Sequence, residues 1–412
     1  IRLSQLDEGD AMPTETVGER YVLELYHGPT SAFKDVALSV LPRLVSAAAK
    51  QEGAGDVVIL TATSGDTGKA ALEGFHDVPG TRIMVFYPAG GVSPVQEAQM
   101  VTQEGGNVRV CAIRGNFDDA QTGVKNVFAA CKGKELHGAV LSSANSINIG
   151  RLAPQVVYYF RAYADLVQTG RIRVGEKVHF VVPTGNFGDI LAGYFAKRMG
   201  RLVCASNAND VLTEFISTGV YDRRRPFYKT TSPSMDILVS SNLERLLYDM
   251  TGGNDALVAS WMKSLNDAGV YTVNAEVKAK MDELFYGGYC DEQGTKAAIK
   301  EMFETENYLI EPHTAVAVNV YQQYLQETGD LETPAIIAST ASPYKFAASV
   351  LEALTGERGQ GSEFDKVAEL SALTGTQIPQ PIADLQQKPL RFAQVCNIAG
   401  MEMAVLGTLG IQ

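Results

Sequence analysis

The stretch DVVILTATSGDTGKAALEGF, residues 56–75, changes character twice. Its first eight residues form an apolar run rich in valine, isoleucine and threonine, the pattern of a strand buried on both faces. TSGDTG (63–68) then breaks the run, and from about Thr67 the apolar spacing becomes helical. A strand, a small polar turn and a helix make the repeating unit of α/β folds, so the question is whether the unit recurs.

It does. RIMVFYP (82–88) leads into SPVQEAQMVTQEG, NVRVCAI (107–113) into NFDDAQTGVKNVFAACK, KVHFVVPTG (177–185) into DILAGYFAKRMG, and RLVCASN (201–207) into DVLTEFIST. A last run, PAIIAST (334–340), precedes a helix from about Pro343, and residues 241–330 read as mostly helical. Ser93-Pro94 and Asn209-Asp210 have the chemistry of helix starts. The pattern predicts an α/β protein of two lobes, with parallel or mixed sheets covered by helices. A smaller lobe spans 55–150. A larger one takes 1–54 plus 151–412, with a C-terminal extension from about 352.

Composition narrows the function classes. A net charge of −12 disfavours nucleic acid or an anionic membrane as partner. The basic run Arg223-Arg224-Arg225 reads as a solvated loop. Five dispersed cysteines without a C-x-x-C pair suggest reduced thiols and a cytoplasmic setting. No apolar stretch has the length of a membrane span, and no signal-peptide pattern opens the chain. It starts at Ile1 rather than methionine, which suggests a missing upstream segment. Neither a Walker loop nor a complete G-x-G-x-x-G supports nucleotide binding, and no metal-ligand spacing occurs.

Three polar segments follow strands, where open α/β sheets place ligands. TSGDTG offers backbone N–H groups and hydroxyls at a helix start, a seat for a carboxylate; a plain βα turn is an equal reading. PTGNFGD (183–189) has the glycines for close backbone approach to a phosphate. SSANSINIGR (142–151) gathers two amides, a hydroxyl and a guanidinium, a set suited to a second phosphate. Alone, either of these last two is an ordinary capped turn. HGPTSAFKDVAL (27–38) adds Lys34 at the mouth of a helix. A lysine among phosphate seats suggests an amine that forms a Schiff base with pyridoxal phosphate (PLP).

Taken in order, ELYHGPTSAFKDVAL, TATSGDTGKAALEGF, YPAGGVSPVQEAQM, SSANSINIGRLAPQ, VPTGNFGDILAGYFAKRMG and TTSPSMDILVSSNLERLLYDM resemble the threonine synthase family over about residues 21–350. SPSMDI and SANSINIGR distinguish that family from the serine and threonine dehydratases. The resemblance implies a two-lobed PLP fold type II, the tryptophan-synthase-β type, with the cofactor in the interlobe cleft. It implies that Lys34 forms the Schiff base, that Gly185, Asn186, Phe187 and Gly188 hold the PLP phosphate, and that Thr340 bonds the pyridine nitrogen. Asp66 lies where many relatives place an asparagine beside the cofactor 3′-hydroxyl. Ser64, Gly65, Thr67 and Gly68 are expected at the substrate carboxylate, and Asn145, Ser146, Asn148 and Arg151 at its phosphate.

The implied reaction, the last step of threonine biosynthesis, turns O-phospho-L-homoserine and water into L-threonine and phosphate. The rivals are a phospho-lyase giving 2-oxobutyrate, ammonia and phosphate, and an inactive PLP-fold binding module. Related enzymes carry a longer segment before the lysine motif. His27 and His313 read as structural and Lys69 as an exposed helix residue, while Lys345 is open between catalysis and anion binding. The reading leaves oligomeric partners open.

Overall fold

All six apolar runs become parallel strands, each within two residues of its expected ends. In the computed structural model, which describes residues 11–134, 136–196 and 200–409, they fall into two sheets. The smaller sheet runs Val395–Cys396, Val108–Ile113, Thr81–Pro88, Val57–Ala62, Val140–Ser143, all parallel. The larger runs Thr14–Val17, Arg20–Glu24, Ala335–Ser339, His179–Pro183, Leu202–Ser206, Phe285–Tyr289, parallel except for its first strand.

Period-two alternation sorts the small-lobe side chains. Val57 and Ile59 point toward Leu38, Leu41, Leu72 and Phe75 on the helices Lys34–Gln51 and Asp66–Phe75. Val58 and Leu60 point to the other face, toward Val124 and Val127 of Phe117–Cys131 and Met401 and Val405 of Met401–Leu409. Both faces are covered, which is why the strand Val57–Ala62 is wholly buried.

Two boundaries therefore move. The helix Lys34–Gln51, assigned by sequence to the larger lobe, packs its apolar side into the smaller lobe's core. The C-terminal extension begins on the larger lobe, where Val367, Leu370, Ile382 and Leu385 are buried. It then crosses, and Val395–Cys396 adds an edge strand to the smaller sheet. Apolar content alone does not say which lobe an amphipathic segment will cover.

The stretch 241–330 is mostly helical, as expected, with two short strands set between its helices. FYGGY forms the strand Phe285–Tyr289, and Val220–Asp222 pairs with Val270–Thr272 in a small antiparallel ladder. The glycine pair serves close packing: a Cβ on Gly288 would lie 2.6 Å from Val320 Cγ1.

Ser93 caps its helix with a reciprocal bond to Gln96, as predicted. Asp210 makes no side-chain cap; its carboxylate takes Arg225 at 2.7 Å. Arg225 also pairs with Glu214, and Arg224 pairs with Asp222, so two arginines of the basic run are paired with acids while Arg223 donates to Asn266 O. The helix predicted from Asp189 is present as Gly188–Ala196, and its expected continuation over 197–199 lies outside the described residues. No helix among the described residues is long and apolar enough to cross a membrane.

Candidate active site

The chain before Lys34 is stitched to the end of the strand Ala335–Ser339. Leu25 N–H donates to Ser339 O at 2.9 Å, Phe33 N–H to Thr340 O at 2.8 Å, and Ser342 N–H to Ser31 O at 3.1 Å. Asp35 is a buried latch rather than a surface acid: it accepts the Thr30 N–H at 2.9 Å and the Thr30 hydroxyl. Gly28 makes room for it, since a Cβ there would meet Asp35 Oδ2 at 2.4 Å. Lys34 is thus delivered as the first residue of its helix, 8% exposed, with Nζ 3.9 Å from Asp66 Oδ2. Burial draws its pKa down to about 8; Arg151 and Lys345 push the same way, while Asp66 and Asp189 oppose them.

Asp66 is held from two further sides. Its Oδ1 accepts Lys345 Nζ at 2.5 Å and Gln96 Nε2 at 2.9 Å. Lys345, fully buried, also donates to Thr30 O at 2.9 Å. Burial alone would raise the Asp66 pKa, but the two ammonium groups outweigh it and hold the carboxyl well below the usual range.

Ser64 and Thr67 line the same cavity as Lys34, together with Asp66. Gly65 and Gly68 do not line it. Their N–H groups donate to Thr63 Oγ1 at 2.9 and 2.8 Å, so neither amide is turned to a ligand. A Cβ on Gly65 would strike Gln96, and one on Gly68 would strike Thr63 and Val85. These two glycines permit close packing beneath the loop.

Gly185, Asn186, Phe187 and Gly188 form the opposite wall. Phe187 adopts φ 62°, a left-handed conformation that burial of its ring against Phe285 sustains. Residues 240–242 fasten the loop: Ser240 Oγ donates to Gly185 O, Asn242 Nδ2 to Asn186 O, and Ser241 Oγ to Asn186 Oδ1. Asn242 Nδ2 also reaches Ser146 Oγ at 2.9 Å, joining two walls of the cavity. Among the described residues, the backbone N–H groups of 185–188 have no protein acceptor. Together with the start of the helix Gly188–Ala196, they form a seat for an anion.

From 142–151, Asn145, Ser146 and Arg151 line the cavity and Asn148 does not. Asn148 caps the short helix that carries Arg151, accepting Gly150 N–H at 2.9 Å. Arg151 is only 2% exposed. Its Nη1 donates to Ala144 O at 3.0 Å, its Nε is buried without a partner, and burial lowers its pKa to about 10. Thr340 completes the enclosure.

Asp189, Ser234 and Gln155 are among the lining residues not singled out from sequence as functional. Asp189 accepts the Tyr159 hydroxyl at 3.0 Å through Oδ1, keeps a buried and unpartnered Oδ2, and is pushed by burial up to about 6. Ser234 lies within SPSMDI and donates its N–H to His313 Nε2 at 3.2 Å. That bond leaves the proton on His313 Nδ1, 2.5 Å from Glu311 Oε2. The signal for Asp189 was its place directly after the glycine loop. His27 is not part of this cavity and pairs with Glu24 at 2.5 Å, and Lys69 is buried against Glu73 at 3.0 Å rather than exposed. No cluster of three or more metal-ligating side chains occurs among the described residues.

Residues 12–273 match the family model described as pyridoxal-phosphate dependent enzyme, and residues 314–405 that described as threonine synthase, C-terminal. Threonine synthase-like 1 of Homo sapiens is 40% identical over 351 residues, which are 82% of this chain and 46% of that protein. Threonine synthase of Saccharomyces cerevisiae is 36% identical over 390 residues, 88% of this chain and 75% of the yeast protein. The crystal structure of PLP-bound threonine synthase from Brucella melitensis matches with a TM-score of 0.83 at 37% identity, covering 98% of this chain and 82% of that one. The chain spans about half the length of the threonine synthase-like 1 relatives that it matches.

Proposed function

The chain belongs to the threonine synthase family of pyridoxal-phosphate-dependent enzymes, and from that premise we propose that it converts O-phospho-L-homoserine and water to L-threonine and phosphate. One observation carries the reading: a single cavity holds a desolvated lysine amine, an anion seat of unengaged amides and a buried arginine with an unpartnered Nε.

The residues present fit PLP. The amides of Gly185, Asn186, Phe187 and Gly188 would hold its phosphate, Thr340 its ring nitrogen and Asp66 its 3′-hydroxyl, with Lys34 as the covalent anchor. When bound, PLP supplies an aldehyde for an amine and a sink for negative charge. Ser64 and Thr67 orient the substrate carboxylate; Gly65 and Gly68 shape their loop. Asn145, Ser146 and Arg151 take the substrate phosphate, and Asn148 fixes the turn that presents Arg151. Lys34 Nζ, with a pKa drawn close to neutrality, takes the proton from substrate Cα and serves the second transfer at Cβ before water adds there.

The test is a product balance. With PLP and O-phospho-L-homoserine, threonine and phosphate should form in equal amounts, and Lys34→Ala should abolish both. A mixture dominated by 2-oxobutyrate and ammonia would instead make the protein a phospho-lyase.

A further inference from the structure

Cys111 and Cys396 come from strands that lie side by side, one at the centre of the chain's first half and one sixteen residues from its end. Their sulfurs are 3.4 Å apart, with the Cys111 S–H directed at Cys396 Sγ. Cys111 is buried, whereas Cys396 is partly exposed; the other three cysteines are all buried. The strand that carries Cys396 is only two residues long, held by Ala112 N–H to Gln394 O and Arg114 N–H to Cys396 O, both 2.9 Å. Upstream, the same extension is rooted in the larger lobe through Ile382 and Leu385.

We propose that Cys111 and Cys396 form a reversible dithiol–disulfide staple, oxidised by a low-molecular-weight disulfide, that locks the C-terminal extension onto the smaller sheet. Cys396, the partly exposed sulfur of the pair, is the accessible nucleophile. The thiolate attacks one sulfur of the small disulfide and expels one small thiolate. Cys111, after losing its proton, then attacks the Cys396 sulfur of the mixed disulfide and expels the second. Two protein thiols are oxidised, one small disulfide is reduced to two thiols, and both protons end on those thiols. Burial together with Cys396 pushes the Cys111 thiol up to about 12, which makes its attack the slow step. The sulfurs are already in contact, and because Cys396 is paired with Ile113, two residues along from Cys111 on the same face, closure draws the two-residue edge strand along its neighbour.

The full chain is incubated with oxidised glutathione, then analysed by thiol titration, non-reducing peptide mapping and hydrogen exchange. Free thiols should fall from five to three. The map should show one Cys111–Cys396 cross-link, and exchange at the amides of Ala112 and Arg114 should slow by about tenfold, reversibly on reduction. Cys396→Ser should keep the unoxidised melting temperature and lose the effect, and Cys111→Ser should trap glutathione on Cys396. Five free thiols, a wild-type mixed disulfide on Cys396 with Cys111 left free, or a cross-link without slowed exchange would each overturn the proposal.

Discussion

Replacing Asp66 by asparagine removes the counter-charge of two buried ammonium groups at once. Lys345 Nζ lies 2.5 Å from one carboxylate oxygen and Lys34 Nζ 3.9 Å from the other. A unit charge at that second distance is worth about 4 kcal/mol at an effective dielectric of about 20, or roughly three pKa units. Lys345 already neutralises part of the carboxylate field, so the net change at Lys34 should be about one to two units. The Lys34 pKa should fall from about 8 to roughly 6–7, because burial and the remaining cations all disfavour its charged form. Asparagine keeps an oxygen for Gln96 Nε2, so the loop retains that hydrogen bond. The assay is the rate at which the apo chain captures PLP, followed by the absorbance of the bound cofactor across pH, because only the neutral amine attacks an aldehyde. Wild type should show a midpoint about 8 and Asp66→Asn a midpoint one to two units lower. An unchanged or higher midpoint would refute the account of Lys34 as an amine tuned between desolvation and Asp66.

Lys34→Ala should lose borohydride-trappable PLP and at least about a thousandfold in turnover, as measured by peptide mapping and phosphate release. Gly185→Ala should weaken PLP binding about tenfold or more in an equilibrium titration, because its Cβ would sit 2.8 Å from Ser234 O and push the loop off its seat. Burial raises the Asp35 pKa to about 6, so its stabilising contribution is complete below about pH 3.8 and is lost as pH rises through about 6. Asp35→Asn keeps an acceptor for the Thr30 N–H and should raise the melting temperature near neutral pH. The gain it recovers is on the order of 3 kcal/mol, and melting curves from pH 4 to 7 should flatten.

Most of this architecture could be read from the chain because burial on both faces writes continuous apolar runs such as VVILTA and AIIAS. The loops were legible for a related reason: small polar residues directly after a strand have few structural uses beyond turns and ligands. What could not be read has a different cause, namely which partner a group takes once the chain is folded. FYGGY reads as a helix end until Val320 and Thr213 are seen to crowd its glycines. Lys69 reads as exposed until Glu73 and Gln103 close over it. Gly65 and Gly68 read as ligand amides, but Thr63 takes both N–H groups, a local side-chain bond that competes with any ligand. Asp189 could be placed by position, but its unpartnered oxygen becomes visible only when Tyr159 and the cavity are in view.

The helix of Lys34 lies in the core of one lobe, while the residues just before it are bonded to the strand end of the other. Lys345 bridges the same gap through Thr30 and Asp66. A rotation that opens the cleft without breaking these bonds must pivot close to residues 30–34. Distances among Lys34, Asp66 and Thr340 then change least. The amine of Lys34 therefore stands on the axis of any such motion, and opening the cleft changes what can reach it without changing how it is aimed.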